Sequence, residues 1–379
     1  KASRVKLIGS NALIGLGATF FVAITLVLLY TFLNDTISNS GYNLFFKWYP
    51  LLAFFNLPWN NALVILQADR KYNKILLVKS INSGLFFLVV LGHFFFFKMD
   101  LNELVIALLI VNAITSLVTI TLGWDGTKLI TKATSKTNNM LLDFGKYTTF
   151  TLIGSNLLRS TDALIISLSP MGSAAVALYS VPLKLTELQQ IPLRSFAATA
   201  FPKMSKASLQ DKVSEVRDLF YAYSGALTYL FIIISLFTFI FAEFLVLVLS
   251  GEQYVKVDPV TGFNVVDIVR VFSVYGLLLP IDRMTGIGLD SLNKPSINAL
   301  KVFVMVAANF IGDLIAIFIF KSLVLVAVAS ILFTVVGMWL GMYFLNKELK
   351  ISFREIFVRG ISFYKDLFKK INDRDFSKI

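Results

Sequence analysis

Residues 143–203 read DFGKYTTFTLIGSNLLRSTDALIISLSPMGSAAVALYSVPLKLTELQQIPLRSFAATAFPK, two apolar spans joined by a short loop. Charged residues lie deep inside both spans: Arg159 and Asp162 in the first, and Lys184, Glu187 and Arg194 in the second. A charge at bilayer depth costs roughly 2.5 to 3.5 kcal/mol on insertion scales, so such residues tend to face a cavity or a partner. The stretch therefore predicts an all-α integral membrane bundle with a polar pathway.

The composition excludes a soluble protein. Hydrophobic residues make up 56% of the 379-residue chain and charged residues only 15%, with a mean hydropathy of +0.75. A soluble domain holds about 25% charged residues. The net charge of +12 does not indicate a nucleic-acid partner, because the basic residues lie in short loops and a tail beside apolar spans, where membrane topology places them.

Ten segments are long enough to cross a bilayer as helices, which takes about 20 residues. They run over about 8–33, 44–66, 75–97, 102–123, 147–169, 174–198, 219–249, 265–290, 298–320 and 323–346. Their apolar character is continuous rather than alternating, so they are predicted to be helices and not barrel strands.

The distribution of Lys and Arg between the spans predicts the orientation. With the N-terminal end inside, the inner segments hold 23 of these residues and the outer loops hold three. Because cytoplasmic loops carry an excess of Lys and Arg, both ends of this chain are predicted to be cytoplasmic.

A polar segment separates four spans from six. We therefore predict the remainder of an N-terminal lobe over 1–123, a cytoplasmic inter-lobe loop over 124–142, and a C-terminal lobe over 143–346. The lopsided division predicts two further helices ahead of Lys1.

Residues 347–379 have apolar residues near helical spacing among Lys and Arg, which predicts a basic amphipathic helix on the cytoplasmic leaflet. A partner-binding helix is the alternative.

Sequence motifs for enzymes and bound groups are absent. The chain has no phosphate-binding loop, HExxH, GxSxG or EF-hand motif, which predicts no cofactor and no catalytic residue. Its single histidine, His93, lies in an apolar run, and there is no cysteine, so a metal site is not predicted either. The classes of protein that remain are a transporter, a channel, an integral-membrane enzyme and a membrane scaffold.

Several stretches resemble the polysaccharide flippases of the multidrug/oligosaccharidyl-lipid/polysaccharide superfamily. The sequence around Ser160-Thr-Asp162 is similar to that family's seventh helix with its midspan Asp, and AAVALYSVPLKL, residues 174–185, is similar to its eighth. Further similar stretches are AFPKMS at 200–205, GIGLDSLNKP at 286–295, NFIGD at 309–313 and PWNNALVILQADRKYNK at 58–74. Asp290 and Ser291 depart from the family pattern, which has small apolar residues and Gly there.

The resemblance implies a twelve-helix fold with two lobes around a central cavity, of which this chain holds helices three to twelve. It also implies a function: alternating access that moves an undecaprenyl-diphosphate-linked oligosaccharide from the cytoplasmic to the periplasmic leaflet of a bacterial inner membrane. The product would serve O-antigen or another surface polysaccharide. The expected partners are this lipid-linked oligosaccharide, membrane lipids, and polysaccharide polymerase and assembly proteins.

A diphosphate that crosses the membrane needs cations in place of its hydration shell. The candidate cavity cations are Arg159, Lys184, Arg194 and Arg283. The candidates for ion coupling or for simple charge pairing are Asp162, Glu187, Asp282 and Asp313. The i,i+3 spacing of Arg159 with Asp162 and of Lys184 with Glu187 leaves open that each pair neutralises itself. Lys301, near a span end, is expected to extend towards the membrane surface.

Two other functions stay open on the residues alone. A cation-coupled multidrug exporter of the same superfamily should line its cavity with net acid, whereas the central pair of helices holds three cations and two acids. A non-transporting scaffold or an integral-membrane transferase is the second alternative. A transferase usually exposes carboxylates or His in sizeable loops, and these loops are short and basic.

Overall fold

The computed structural model describes residues 2–32, 43–96, 100–257 and 262–372, and these residues form helices and connecting turns without a strand. The α-helices are α1 (Ala2–Phe32), α2 (Asn43–Ala68), α3 (Tyr72–Phe96), α4 (Leu101–Thr121), α5 (Ser135–Leu168), α6 (Gly172–Ser208), α7 (Val213–Ile240), α8 (Ala242–Ser250), α9 (Val265–Ser291), α10 (Pro295–Leu314), α11 (Leu323–Leu349) and α12 (Phe353–Asn372). The all-α prediction is confirmed.

Seven described helices are long and apolar enough to cross a membrane: α1, α2, α3, α4, α7, α10 with its π-helical extension Ile315–Ile319, and α11. The three other predicted spans correspond to α5, α6 and α9, which are 34, 37 and 27 residues long. Their length is sufficient for a span. Their polar residues lower their hydropathy, and these residues include seven of the eight site candidates that the sequence predicts, all except Asp313.

The chain divides into two compact units, Lys1–Asp143 and Phe144–Ile379. In the first unit, α2 packs against both α1 and α4. In the second, α9 is the central helix and packs against α6, α7 and α11. Gly288 permits a close approach of α9 to α11, since a Cβ atom added there would lie 2.9 Å from Leu345.

Two segments differ from their predictions. The segment predicted as an inter-lobe loop contains a 3-10 helix, Thr127–Lys132, and its last eight residues already belong to α5. Thr134 explains this early start, because its hydroxyl accepts a hydrogen bond from the Thr137 N–H as an N-terminal cap does. The span predicted over 219–249 is interrupted at Phe241, between α7 and α8.

Pro58 lies inside α2, where a proline removes a backbone donor and tends to kink the helix. The Ser116 hydroxyl of α4 is inserted into the backbone ladder at this point. It donates a hydrogen bond to the Phe55 carbonyl and accepts one from the Trp59 N–H at 3.4 Å. A side chain from α4 therefore satisfies the backbone of α2 where its own ladder is weakest.

We expect Ser116→Ala to lower the free energy of unfolding by about 1 to 3 kcal/mol, because backbone groups in a buried kink lose their partner. Thr121→Ala is the matched control, since Thr121 is exposed and bonds only to the Val118 carbonyl of its own helix. Thermal unfolding of the purified protein in detergent measures both. Equal melting temperatures for the two variants would show that Ser116 does not support α2.

Candidate functional site

The most deeply buried polar cluster of the second unit joins four helices. Asp162 lies on α5 and Tyr179 on α6, while Asn309 and Asp313 are one turn apart on α10 and Ser330 lies on α11. All five side chains are buried. Polar groups inside a membrane bundle are costly unless they bond to one another, so their convergence defines a site.

Asp162 is the centre of the cluster. Its Oδ2 accepts a hydrogen bond from the Tyr179 hydroxyl at 2.8 Å and one from the Ser330 hydroxyl at 3.4 Å. The Asn309 amide nitrogen donates to Asp162 Oδ1 and to Asp313 Oδ2, both at 3.0 Å. The amide therefore bridges two carboxyl groups.

Among the side chains that the structure describes, the cluster contains no cation, and it has unused acceptors. Asp162 is 2% exposed and Asp313 is 0% exposed. The Oδ1 atoms of Asn309 and Asp313 are buried without a hydrogen-bond partner. No Lys or Arg whose side chain the structure describes forms an ion pair with either acid. Two desolvated carboxylates cannot both stay charged side by side at reasonable cost, so the arrangement is suited to holding a proton or a small cation.

A cavity of about 80 Å³ opens beside Asp162. Its lining includes Glu187 and Gln190 of α6, Tyr275 of α9 and Ser330. The lining also includes the apolar side chains of Leu158, Leu183, Phe272 and Phe333. A space of this size has room for only a few water molecules and is far too small for an oligosaccharide. Glu187 is exposed and lines the same cavity as the buried Asp162, so the cavity lies between a carboxylate at the surface of this unit and the cluster.

Comparison with known proteins places the chain in a family. A family model described as "Polysaccharide biosynthesis protein" matches residues 11–259, more than half of the chain. The chain belongs to this polysaccharide biosynthesis family. No curated protein matches it by sequence.

Solved structures support the same fold. A mutant of a MATE transporter from Vibrio cholerae matches with a TM-score of 0.74 at 14% identity, over 93% of this chain and 82% of that one. An outward-facing multidrug resistance MATE transporter of the MOP superfamily matches with a TM-score of 0.71 at 13% identity, over 93% of this chain and 84% of that one. A MOP superfamily transporter from Pyrococcus furiosus matches with a TM-score of 0.70 at 14% identity, over 93% of this chain and 86% of that one. Identities this low show a shared fold, and with the family match they confirm the resemblance found in the sequence.

The structure brings Asp162 and Asp313 together, and two of the predicted cavity cations, Lys184 and Arg194, form no ion pair with this cluster. Lys184 and Arg194 are exposed residues of α6, and neither is paired with another residue of the described chain. The side chains of Lys184 and the exposed Glu187 form no ion pair with each other in the described part of the chain, although their i,i+3 spacing left this open. The side chain of Arg159 lies outside the described residues, so its pairing with Asp162 stays a prediction.

Asp282 and Lys301 form a second buried polar group. Lys301 Nζ lies 2.8 Å from Asp282 Oδ1 and donates to the Asp282 carbonyl at 3.0 Å. Lys301 is 3% exposed, so the prediction that it extends to the membrane surface is wrong. The ammonium is paired with an acid on the neighbouring helix, which the sequence does not reveal, so it is not left buried as an unpaired charge. Arg283, adjacent to Asp282, is exposed.

The sequence interpretation missed three residues of the cluster as functional candidates: Tyr179, Asn309 and Ser330. The sequence did indicate Asn309, because an amide four residues before a lone midspan acid lies on the same helix face as that acid. Tyr179 and Ser330 gave no such signal, because a serine hydroxyl in an apolar helix commonly bonds within its own helix and the partner of the Tyr179 hydroxyl lies on another helix.

Proposed function

We propose that this multi-pass membrane protein moves a lipid-linked oligosaccharide from the cytoplasmic to the outer leaflet of a bacterial inner membrane by alternating access, with both ends of this chain cytoplasmic. The observation that supports the substrate class is the match to the polysaccharide biosynthesis family over residues 11–259. The structural neighbours are described as transporters, which favours transport over a transferase reaction or a scaffold.

Charge on α6 fits an anionic substrate. Lys184 and Arg194 are exposed and have no ion-pair partner among the described side chains, so they are available to a diphosphate or an acidic sugar. The P. furiosus transporter is described as having a binding pocket of reversed polarity that suggests a different function. Charge polarity is therefore a sensible criterion for separating glycan transport from drug export within this fold.

We infer further that the buried carboxyl cluster couples transport to an ion gradient. Asp162 and Asp313 would take up a proton or a monovalent cation through the small cavity, and the unused oxygens of Asn309 and Asp313 would serve as ligands. Uptake changes the charge at a point where four helices meet. An equilibrium between two helix arrangements that differ there would shift with the occupancy.

Complementation tests the substrate. In cells that lack their own flippase, Arg159→Ala and Lys184→Ala are expected to reduce surface glycan by roughly tenfold to a hundredfold, the effect of losing one charge-assisted contact. Lys256→Ala is the control, because Lys256 is highly exposed and pairs only with Glu252. Wild-type surface glycan from both alleles would refute the cation contacts. Ethidium export by the purified protein without any effect on glycan would instead indicate the drug exporter.

A further inference from the structure

Helix α12 is fixed against α7 by a close backbone contact. A Cβ atom added to Gly225 would lie 2.6 Å from the Cα of Gly360, so only glycine fits at this crossing. Ile356 is fully buried in the contact, and the Tyr364 hydroxyl donates to the Ala226 carbonyl at 2.9 Å. This contact uses one part of the apolar face of α12 and determines how the rest of the helix is oriented.

Three basic residues lie on the side of α12 that points away from α7. Arg354, Lys365 and Lys369 are exposed and fall within about 60° of one another around the helix, given 3.6 residues per turn. Ile361 borders this basic stripe and is 47% exposed. Cations beside exposed apolar residues are the pattern of a helix at a membrane surface.

The acidic side chains that the structure describes near α12, Glu355 and Asp218, lie beside Arg359. Arg359 is within 3.8 Å of Glu355 and 3.9 Å of Asp218, so its charge is shared with two carboxylates. Among the described side chains, no carboxylate forms an ion pair with any residue of the basic stripe. The stripe therefore retains its positive charge.

The link between α11 and α12 keeps the basic stripe close to the end of a membrane-crossing helix. Only Lys350, Ile351 and Ser352 separate the two helices. The link is also anchored, since the Ser352 N–H donates to the Tyr221 hydroxyl at 2.8 Å. A helix tethered this closely cannot move far from the headgroup region.

We propose that the basic stripe of α12 binds the headgroups of anionic phospholipids in the cytoplasmic leaflet. The negative surface potential of that leaflet attracts juxtamembrane cations, and Ile361 would enter the boundary with the acyl chains. The proposal rests on the orientation given under the proposed function and not on the substrate.

A fluorescence experiment on the full chain tests this surface. These 379 residues contain no cysteine, so Ile361→Cys in this chain gives one labelling site for an environment-sensitive fluorophore. In nanodiscs of phosphatidylcholine with phosphatidylglycerol, the emission should shift to the blue relative to nanodiscs of phosphatidylcholine alone, and added salt should reverse the shift. The combined R354Q, K365Q and K369Q changes should weaken the lipid response on the order of 100-fold in apparent affinity.

Arg359→Gln is the matched control on the same helix and should leave the lipid response unchanged. Identical emission in the two kinds of nanodisc, or a full response from the triple variant, would overturn the proposal. A blue shift that appears only when soluble cytoplasmic proteins are added would indicate that the basic stripe binds a protein and not lipid headgroups, which would also overturn the proposal. The readout requires no glycan, so a normal lipid response without transport would count against the proposed function alone.

Discussion

Asp162→Asn is expected to abolish gradient-driven transport of the lipid-linked oligosaccharide while leaving the protein folded. The coupling between an ion and a transported substrate typically amounts to about 5- to 150-fold, and this is the factor that should disappear. Proteoliposomes with an imposed proton or sodium gradient, and a probe of glycan in the outer leaflet, measure it. Asp313→Asn should behave in the same way, because the two carboxyl groups share the Asn309 amide.

The sign of the stability change separates coupling from a structural role. Asp162 is buried without a described cation, so a neutral amide removes a desolvated charge. This gain offsets the hydrogen bonds that the amide nitrogen cannot accept, and the melting temperature should stay close to that of the wild type. Asp267→Asn is the control, since Asp267 is half-exposed and pairs with Arg270 at the end of α9. A large fall in melting temperature for Asp162→Asn, or undiminished gradient-driven transport, would contradict the coupling role.

Hydropathy predicts the membrane-crossing helices of this chain because the bilayer imposes one simple requirement. Every span must bury about 20 residues and satisfy its own backbone, so a long apolar run has few alternatives to a helix. The interruption at Phe241 was not predictable in this way, since both α7 and α8 are apolar and no proline or glycine marks the break.

The candidate site was predictable only in part. Asp162 and Asp313 were each identifiable from the sequence, because an acid in the middle of an apolar span is costly and usually has a functional role. The shared Asn309 amide was not predictable from the sequence. Asp162 and Asn309 are 147 residues apart, and their contact depends on how α5 packs against α10. Lys301 was misjudged for the same reason, because its partner lies on another helix.

Lys301→Met is expected to lower the free energy of unfolding by about 3 kcal/mol, because it leaves Asp282 partly buried without its cation. The low end of the range for a broken buried pair applies, since the Asp282 side chain keeps 18% exposure to solvent. For a domain of this size the melting temperature should fall on the order of 10 °C. Thermal unfolding in detergent measures the change.

The double variant Asp282→Asn with Lys301→Met decides whether the pair itself stabilises the protein. Removing both charges also removes the unpaired carboxylate, so most of the lost stability should return, as expected for two residues that interact directly. Lys294→Met is a useful comparison, because Lys294 also bonds to an acid, Glu348, but both side chains are about one-third exposed and water can replace the lost partner. If the double variant were as unstable as Lys301→Met alone, the cost would come from the volume of the lysine side chain and not from its charge.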